Sequence, residues 1–151
     1  MANPSSYLYV DDRRLPRLSA CQANGTCSAP FRPYWDRENC TTFNTWKYGL
    51  EKRAGYAAAI PDATLRAQLA ARRVTYLLGD LDRVETSDLD MTCPAMAQGP
   101  NRRERGLNYW NYIRSLHNAR HGLEVVSGCG HSATCVYASP QGAALLFPPG
   151  R

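Results

Sequence analysis

At 151 residues the chain holds one ordinary domain with a core of its own and is too short for two. Its 44% hydrophobic and 21% charged residues exclude a disordered or fibrous protein, and no apolar run approaches the length of a membrane span. The net charge of +5 comes largely from the pairs Arg13-Arg14, Arg72-Arg73 and Arg102-Arg103. Asp and Glu interleave with them and no basic stripe forms, so an ordinary solvated surface is expected, with neither nucleic acid nor membrane as partner.

In chain order, residues 2–45 read as irregular, rich in Pro, Asn, Ser, Gly and Asp, apart from a short strand at Tyr7–Val10. A short helix is expected within Thr45–Ala58 around Trp46, Tyr48 and Leu50. Pro61-Asp62 opens a stronger one over Ala63–Arg73, with Leu65, Leu69 and Ala70 on one face and Arg72-Arg73 in the last turn, where cations suit the dipole. Val74–Leu78 follows at once, an apolar run that suits a central parallel strand covered on both faces. A polar excursion, Arg83–Asn101, separates it from an amphipathic helix from Arg103 to about Asn118, with Leu107, Tyr109, Trp110, Ile113 and Leu116 at helical spacing. Gly122 ends that helix, Leu123–Val126 is the next strand, and Ser139-Pro140 starts a last helix over Gln141–Leu146. Alternation of this kind predicts a single α/β domain over 1–151, with a parallel sheet and an irregular cysteine-containing excursion at 11–45.

Six cysteines, Cys21, Cys27, Cys40, Cys93, Cys129 and Cys135, allow up to three disulfides whose connectivity the sequence leaves open. Sequons at Asn24-Gly25-Thr26 and Asn39-Cys40-Thr41 lie among them. Together they point to an oxidising compartment, secreted or extracellular for the parent protein. The start, Met-Ala-Asn-Pro-Ser-Ser, has no basic flank and no apolar run, and is not a signal peptide as it stands.

Two turns carry the chemistry. Gly79-Asp80-Leu81-Asp82 follows the first predicted strand, and Gly130-His131 follows the second. In open α/β sheets reactive groups gather beyond the carboxyl ends of the strands, so neighbouring strands bring Asp82 and His131 together. A carboxylate that orients an imidazole is what a general base needs. Asp80 is the rival acid, two residues away on the same turn. Acid then histidine, each after a strand with a helix between, resembles the last third of the α/β-hydrolase superfamily, whose chain order is nucleophile, acid, histidine. The resemblance extends over Ala2–Tyr9, Trp46–Leu50, Arg73–Asp82 and Cys93–Pro100, and misses the stretch around Cys21–Cys40.

It implies a partial α/β-hydrolase-like parallel sheet with flanking helices, holding the C-terminal strands only. In it Asp82 would orient His131 and His131 would relay protons, in ester or amide hydrolysis of a small-molecule substrate with no cofactor and no metal. The family's Gly-x-Ser-x-Gly elbow does not precede Asp82, nor does an oxyanion-hole loop. The expectation is therefore a relay without its nucleophile, inactive alone.

Other readings stand beside it. Gly130-His131-Ser132-Ala133-Thr134 resembles an elbow with Thr134 in place of its last glycine, making Ser132 the nucleophile. His117, His121, Cys129, His131 and Cys135 offer nitrogen and sulfur ligands for zinc. The acidic run Asp80, Asp82, Glu85, Asp88, Asp90 lacks the turn glycine and the spacing of a calcium loop and reads as solvated. A catalytically dead interaction protein, self-associating through an exposed sheet edge, is the third class.

Overall fold

The structure, a computed structural model, describes residues 2–148, so the ends of the expected 1–151 domain lie outside the described residues. Strands β1 (Arg13–Arg14) and β2 (Arg32–Pro33) form a short antiparallel ladder. A 3-10 turn at Gly55–Ala59 and helix α1 (Asp62–Ala71) lead into β3 (Thr75–Gly79). Helix α2 (Cys93–Met96) and the long α3 (Arg102–His117) carry the chain to β4 (Gly122–Val126), followed by α4 (Ala133–Ala138) and α5 (Pro140–Leu146). β4 pairs parallel to β3 in register Thr75↔Gly122 through Gly79↔Val126, with α3 as the crossover. On the other edge of β3, Ala2 makes a single parallel bridge to Leu77, so the expected central strand is one of a two-stranded sheet whose second edge is met at one residue only.

α3 departs from its expected amphipathic form. Ten of its residues, from Arg102 to Ile113, are buried, among them Arg102, Arg105, Asn108 and Asn111. Loops meet these side chains, although the Arg102 Nε has no hydrogen-bond partner. Asn108 accepts from Cys21 N at 2.9 Å and donates to Gln98 O at 2.9 Å, while Asn111 Nδ2 donates to Gln22 O at 3.1 Å. Arg105 donates to the carbonyls of Gly99, Ser5 and Asp90. The arginines read as surface charge are thus partly structural, because a guanidinium can satisfy several loop carbonyls at once. Asn101 caps the helix by accepting from Glu104 N, and Asn118, in the left-handed region at φ 51°, ends it. Gly122 therefore begins the strand rather than ending the helix.

Tyr7–Val10 is buried but forms no strand. Gln98 supplies the ladder partner instead, accepting from Tyr7 N at 2.7 Å and donating to Tyr7 O at 2.8 Å. Val10 N donates to the Tyr112 hydroxyl at 3.1 Å. The rings of Tyr7, Tyr9, Tyr76, Tyr109 and Tyr112 pack into one cluster, with Tyr7 stacked on Tyr109 at 4.8 Å. Only Gly fits at 106, where a Cβ would lie 2.6 Å from Leu78 Cδ2. The helix expected within Thr45–Ala58 is replaced by turns, and α1 stops before Arg72, whose backbone is already extended. Leu65, Leu69 and Ala70 pack on the core as their spacing indicates.

Three disulfides join Cys21 to Cys27, Cys40 to Cys93, and Cys129 to Cys135. Their sequence separations of 6, 53 and 6 rank their effects. In the chain-entropy account the long loop is worth about 4 kcal/mol and each short one about 2 kcal/mol. The Cys40–Cys93 bridge anchors α2, and with it Gln98, to the irregular excursion. Replacing Cys40 and Cys93 by Ser is expected to lower unfolding free energy about twice as much as replacing Cys21 and Cys27, measured by urea denaturation.

Asp11 ties the segment before β1 to the end of α3, contacting Arg13 at 2.6 Å and His117 at 3.4 Å. Burial alone would raise its carboxyl, but hydrogen bonds from His117 and Arg13 outweigh burial and keep it well below the usual carboxylate range. A depressed carboxylate stabilises the fold above its unfolded pKa, and that contribution is lost as pH falls through the folded value. Asp11→Asn is therefore expected to lower the melting temperature at neutral pH, with the gap to wild type closing in strong acid.

Candidate active site

Both turns sit beyond the carboxyl ends of β3 and β4, and backbone contact fixes their spacing. Asp80 N donates to Val126 O and Leu81 N to Cys129 O, both at 3.0 Å. This approach needs a glycine at 79, since a Cβ there would fall 2.3 Å from Cys129 O and 2.8 Å from Gly130 O. Asn3 clasps the pair: its Oδ1 accepts from Gly79 N at 3.0 Å and its Nδ2 donates to Gly130 O at 3.4 Å. The Cys129–Cys135 bridge closes the loop around His131.

The result is a buried carboxylate against a half-exposed imidazole. Asp82 Oδ2 lies 3.0 Å from His131 Nδ1, with side-chain exposures of 1% and 36%. Asp82 is fixed from behind. Its backbone N donates to Gly79 O, its carbonyl accepts from Arg103 N, and Arg102 Nη1 stands 3.9 Å from its other oxygen. An ionised carboxylate on Nδ1 selects the tautomer that carries the proton there and leaves Nε2 able to accept one, which is the configuration of a general base. Asp80 takes no part in the pair; its Oδ2 accepts from Ser127 Oγ at 3.3 Å.

The zinc reading is corrected. Cys129 and Cys135 are spent on each other, and no group of three or more His, Cys, Asp or Glu among the described residues is placed to hold a metal. His121 Nε2 donates to Leu69 O at 3.0 Å and Nδ1 accepts from the Tyr76 hydroxyl at 2.9 Å, so both nitrogens are used inside the core. His117 contacts the Tyr112 hydroxyl at 3.0 Å and Asp11 at 3.4 Å. Ser132 is corrected as well: it is the N-cap of α4, accepting from Cys135 N at 3.2 Å, not the apex of an elbow. The acidic run forms no cation site among the described residues either, since Asp90 accepts from Tyr48 and Thr92 while Asp88 and Asp82 face Arg102.

Sequence reasoning missed Arg102, whose side chain is 1% exposed although Arg102-Arg103 read as solvated charge. It also missed Asn3 as a clasp. The Asn101 cap offered a signal, because it places Arg102 in the first turn of the crossover helix, at the end where β3 delivers its acid.

Solved structures with a similar fold exist. LpqC, a poly(3-hydroxybutyrate) depolymerase from Bordetella parapertussis, matches 97% of this chain at a TM-score of 0.61 and 22% identity. Poly(aspartic acid) hydrolase-1 from Sphingomonas sp. KT-1 matches 64% of it at a TM-score of 0.53 and 29% identity. These likenesses place the fold among the α/β-hydrolases. The chain spans only 38% and 37% of those two proteins. No family model matches it, and no curated protein does.

The close approach at Gly79 makes a direct prediction. Gly79→Ala must push the two turns apart and is expected to cost about 3 kcal/mol. Gly130→Ala, whose Cβ would meet nothing nearer than Leu81 O at 4.0 Å, is expected to be close to neutral. Urea denaturation of both variants checks the contrast.

Proposed function

We propose that this chain is the acid-and-histidine part of a serine α/β-hydrolase, equivalent to the C-terminal half of that fold, for ester or amide hydrolysis by acyl transfer. The carrying observation is the 3.0 Å contact from Asp82 Oδ2 to His131 Nδ1 at the ends of adjacent parallel strands. Asp82 orients the imidazole and stabilises the imidazolium. His131 takes the proton of a seryl hydroxyl and returns it to the leaving group. The parallel bridge of Ala2 to Leu77 supports the assignment, because it shows that the second edge of β3 accepts a parallel neighbour, as a larger sheet would need. The two solved neighbours, a poly(3-hydroxybutyrate) depolymerase and a poly(aspartic acid) hydrolase, agree with the reaction class.

In this reading the chain is one incomplete domain, and the serine and the oxyanion donors come from the rest of the parent. The open edge beside β3 is the place where self-association would occur in its absence. The three disulfides fit secretion of the parent into an oxidising compartment, and no helix among the described residues is long and apolar enough to cross a membrane.

The test has two readouts. The Nδ1 proton of His131 is expected to resonate far downfield of the amides in proton NMR and to vanish in Asp82→Ala; an unchanged spectrum overturns the pairing. The 151-residue chain is expected to hydrolyse p-nitrophenyl acetate no faster than its His131→Ala variant. Turnover abolished by Ser132→Ala would transfer the nucleophile to Ser132 and refute the division of labour.

A further inference from the structure

The second nitrogen of His131 is not open. Asp88 Oδ2 lies 3.3 Å from Nε2, on the side away from Asp82. Asp88 is held there from behind. Its Oδ1 accepts from Thr86 Oγ1 at 2.5 Å and lies 3.0 Å from Arg102 Nη2. Arg102 Nη1 donates to the same Thr86 hydroxyl at 2.9 Å and faces Asp82 at 3.9 Å. One guanidinium, buried to 1% exposure, thus stands behind two carboxylates of opposite character: Asp82 at 1% and Asp88 at 61%. The hydrogen bond from Thr86, with smaller help from Arg102, lowers the Asp88 carboxyl and keeps it ionised.

The charged groups facing the ring are Asp82 on Nδ1 and Asp88 on Nε2, with Arg102 behind both. Nε2 is the atom that must meet a reacting hydroxyl at hydrogen-bond distance for general-base catalysis. Asp88 and a seryl hydroxyl cannot both occupy that position.

We propose that the segment Thr86–Asp88 is a latch on His131: with both ring nitrogens donating, one to each carboxylate, Asp88 caps Nε2–H and Arg102 tethers the cap, which must swing aside and release Nε2 before the histidine can serve a nucleophile. This deepens the relay reading and rests on it. The two ends of the assembly are unequal. Asp82 is enclosed by backbone bonds to Gly79 and Arg103, whereas Asp88 is held at the surface by side-chain contacts that water screens. The acid therefore stays in place when the cap leaves. Thr86 and Arg102 are positioning residues for the cap, and Asp88 is its blocking group.

The latch is tested by carbethoxylation of the full chain with diethyl pyrocarbonate, read histidine by histidine by peptide mass spectrometry. The chain has 3 histidines, and His117 and His121, with side-chain exposure of 11% and residue exposure of 3%, are internal controls. Rates are compared at neutral pH, where an Nε2–H engaged by the Asp88 carboxylate withholds the nitrogen lone pair that the reagent needs. Asp88→Ala is expected to accelerate modification of His131 several-fold with both controls unchanged, Asp88→Asn to act in the same direction, and Thr86→Val to act more weakly. Equal His131 rates in wild type and both Asp88 variants, or acceleration spread equally over all histidines, overturn the latch. Asp82→Asn separates the two readings. If it alone changes the His131 rate, the relay pair survives and the latch falls; if no variant changes it, both fall.

Discussion

The contact of Gly79 with the backbone of Cys129 and Gly130 is the constraint on which the candidate site depends. Two parallel strands bring their turns to one edge of a sheet, but only to the spacing that side chains at the crossing permit. With no Cβ at 79 the turns close until backbone amides of one meet carbonyls of the other. Asn3 then bonds both turns at once, and Asp82 and His131 are left with one separation that suits a shared proton. The disulfide around His131 limits how far its turn can relax when the neighbouring groups move.

The same economy of backbone support runs through the rest of the molecule. A sheet this narrow buries few ladder bonds, and side chains take over where strands are missing. Gln98 pairs with Tyr7, Tyr112 receives Val10, and Arg105 collects carbonyls from three loops. The tyrosines suit this role, since each gives a large apolar face to the core and a hydroxyl to satisfy a stray backbone group or histidine. Tyr109 bonds Leu8 O and Tyr76 bonds His121 in this way. The polar interior is therefore scaffold for the turns that carry Asp82 and His131, and α3 is its spine.

A buried guanidinium beside the acid gives the site an electrostatic character that the acid–histidine pair alone would lack. Arg102 compensates a carboxylate removed from water, which a neutral neighbour could not do. Because it also reaches Asp88, it links the fixed side of the histidine to the exposed one.

What the sequence determined by itself was local or periodic. β3 and β4 were legible as apolar runs, α1 and α3 as spaced apolar residues, and the pairing of Asp82 with His131 as two turns after consecutive strands. These follow from backbone periodicity and chain order, which the one-dimensional string carries in full. Tertiary structure alone decided the rest. It denied Tyr7–Val10 a strand because Gln98, Tyr109, Tyr112 and the Tyr48 carbonyl took its backbone groups. It removed Cys129 and Cys135 from the zinc set by joining them to each other. It chose Asp82 over Asp80 by burial against Arg102, and it turned Arg102 from surface charge into the support of the site. Apart from the short Cys129–Cys135 bridge, each of these outcomes depends on a partner many residues away, and such partners are assigned by packing in space rather than by any neighbour in sequence.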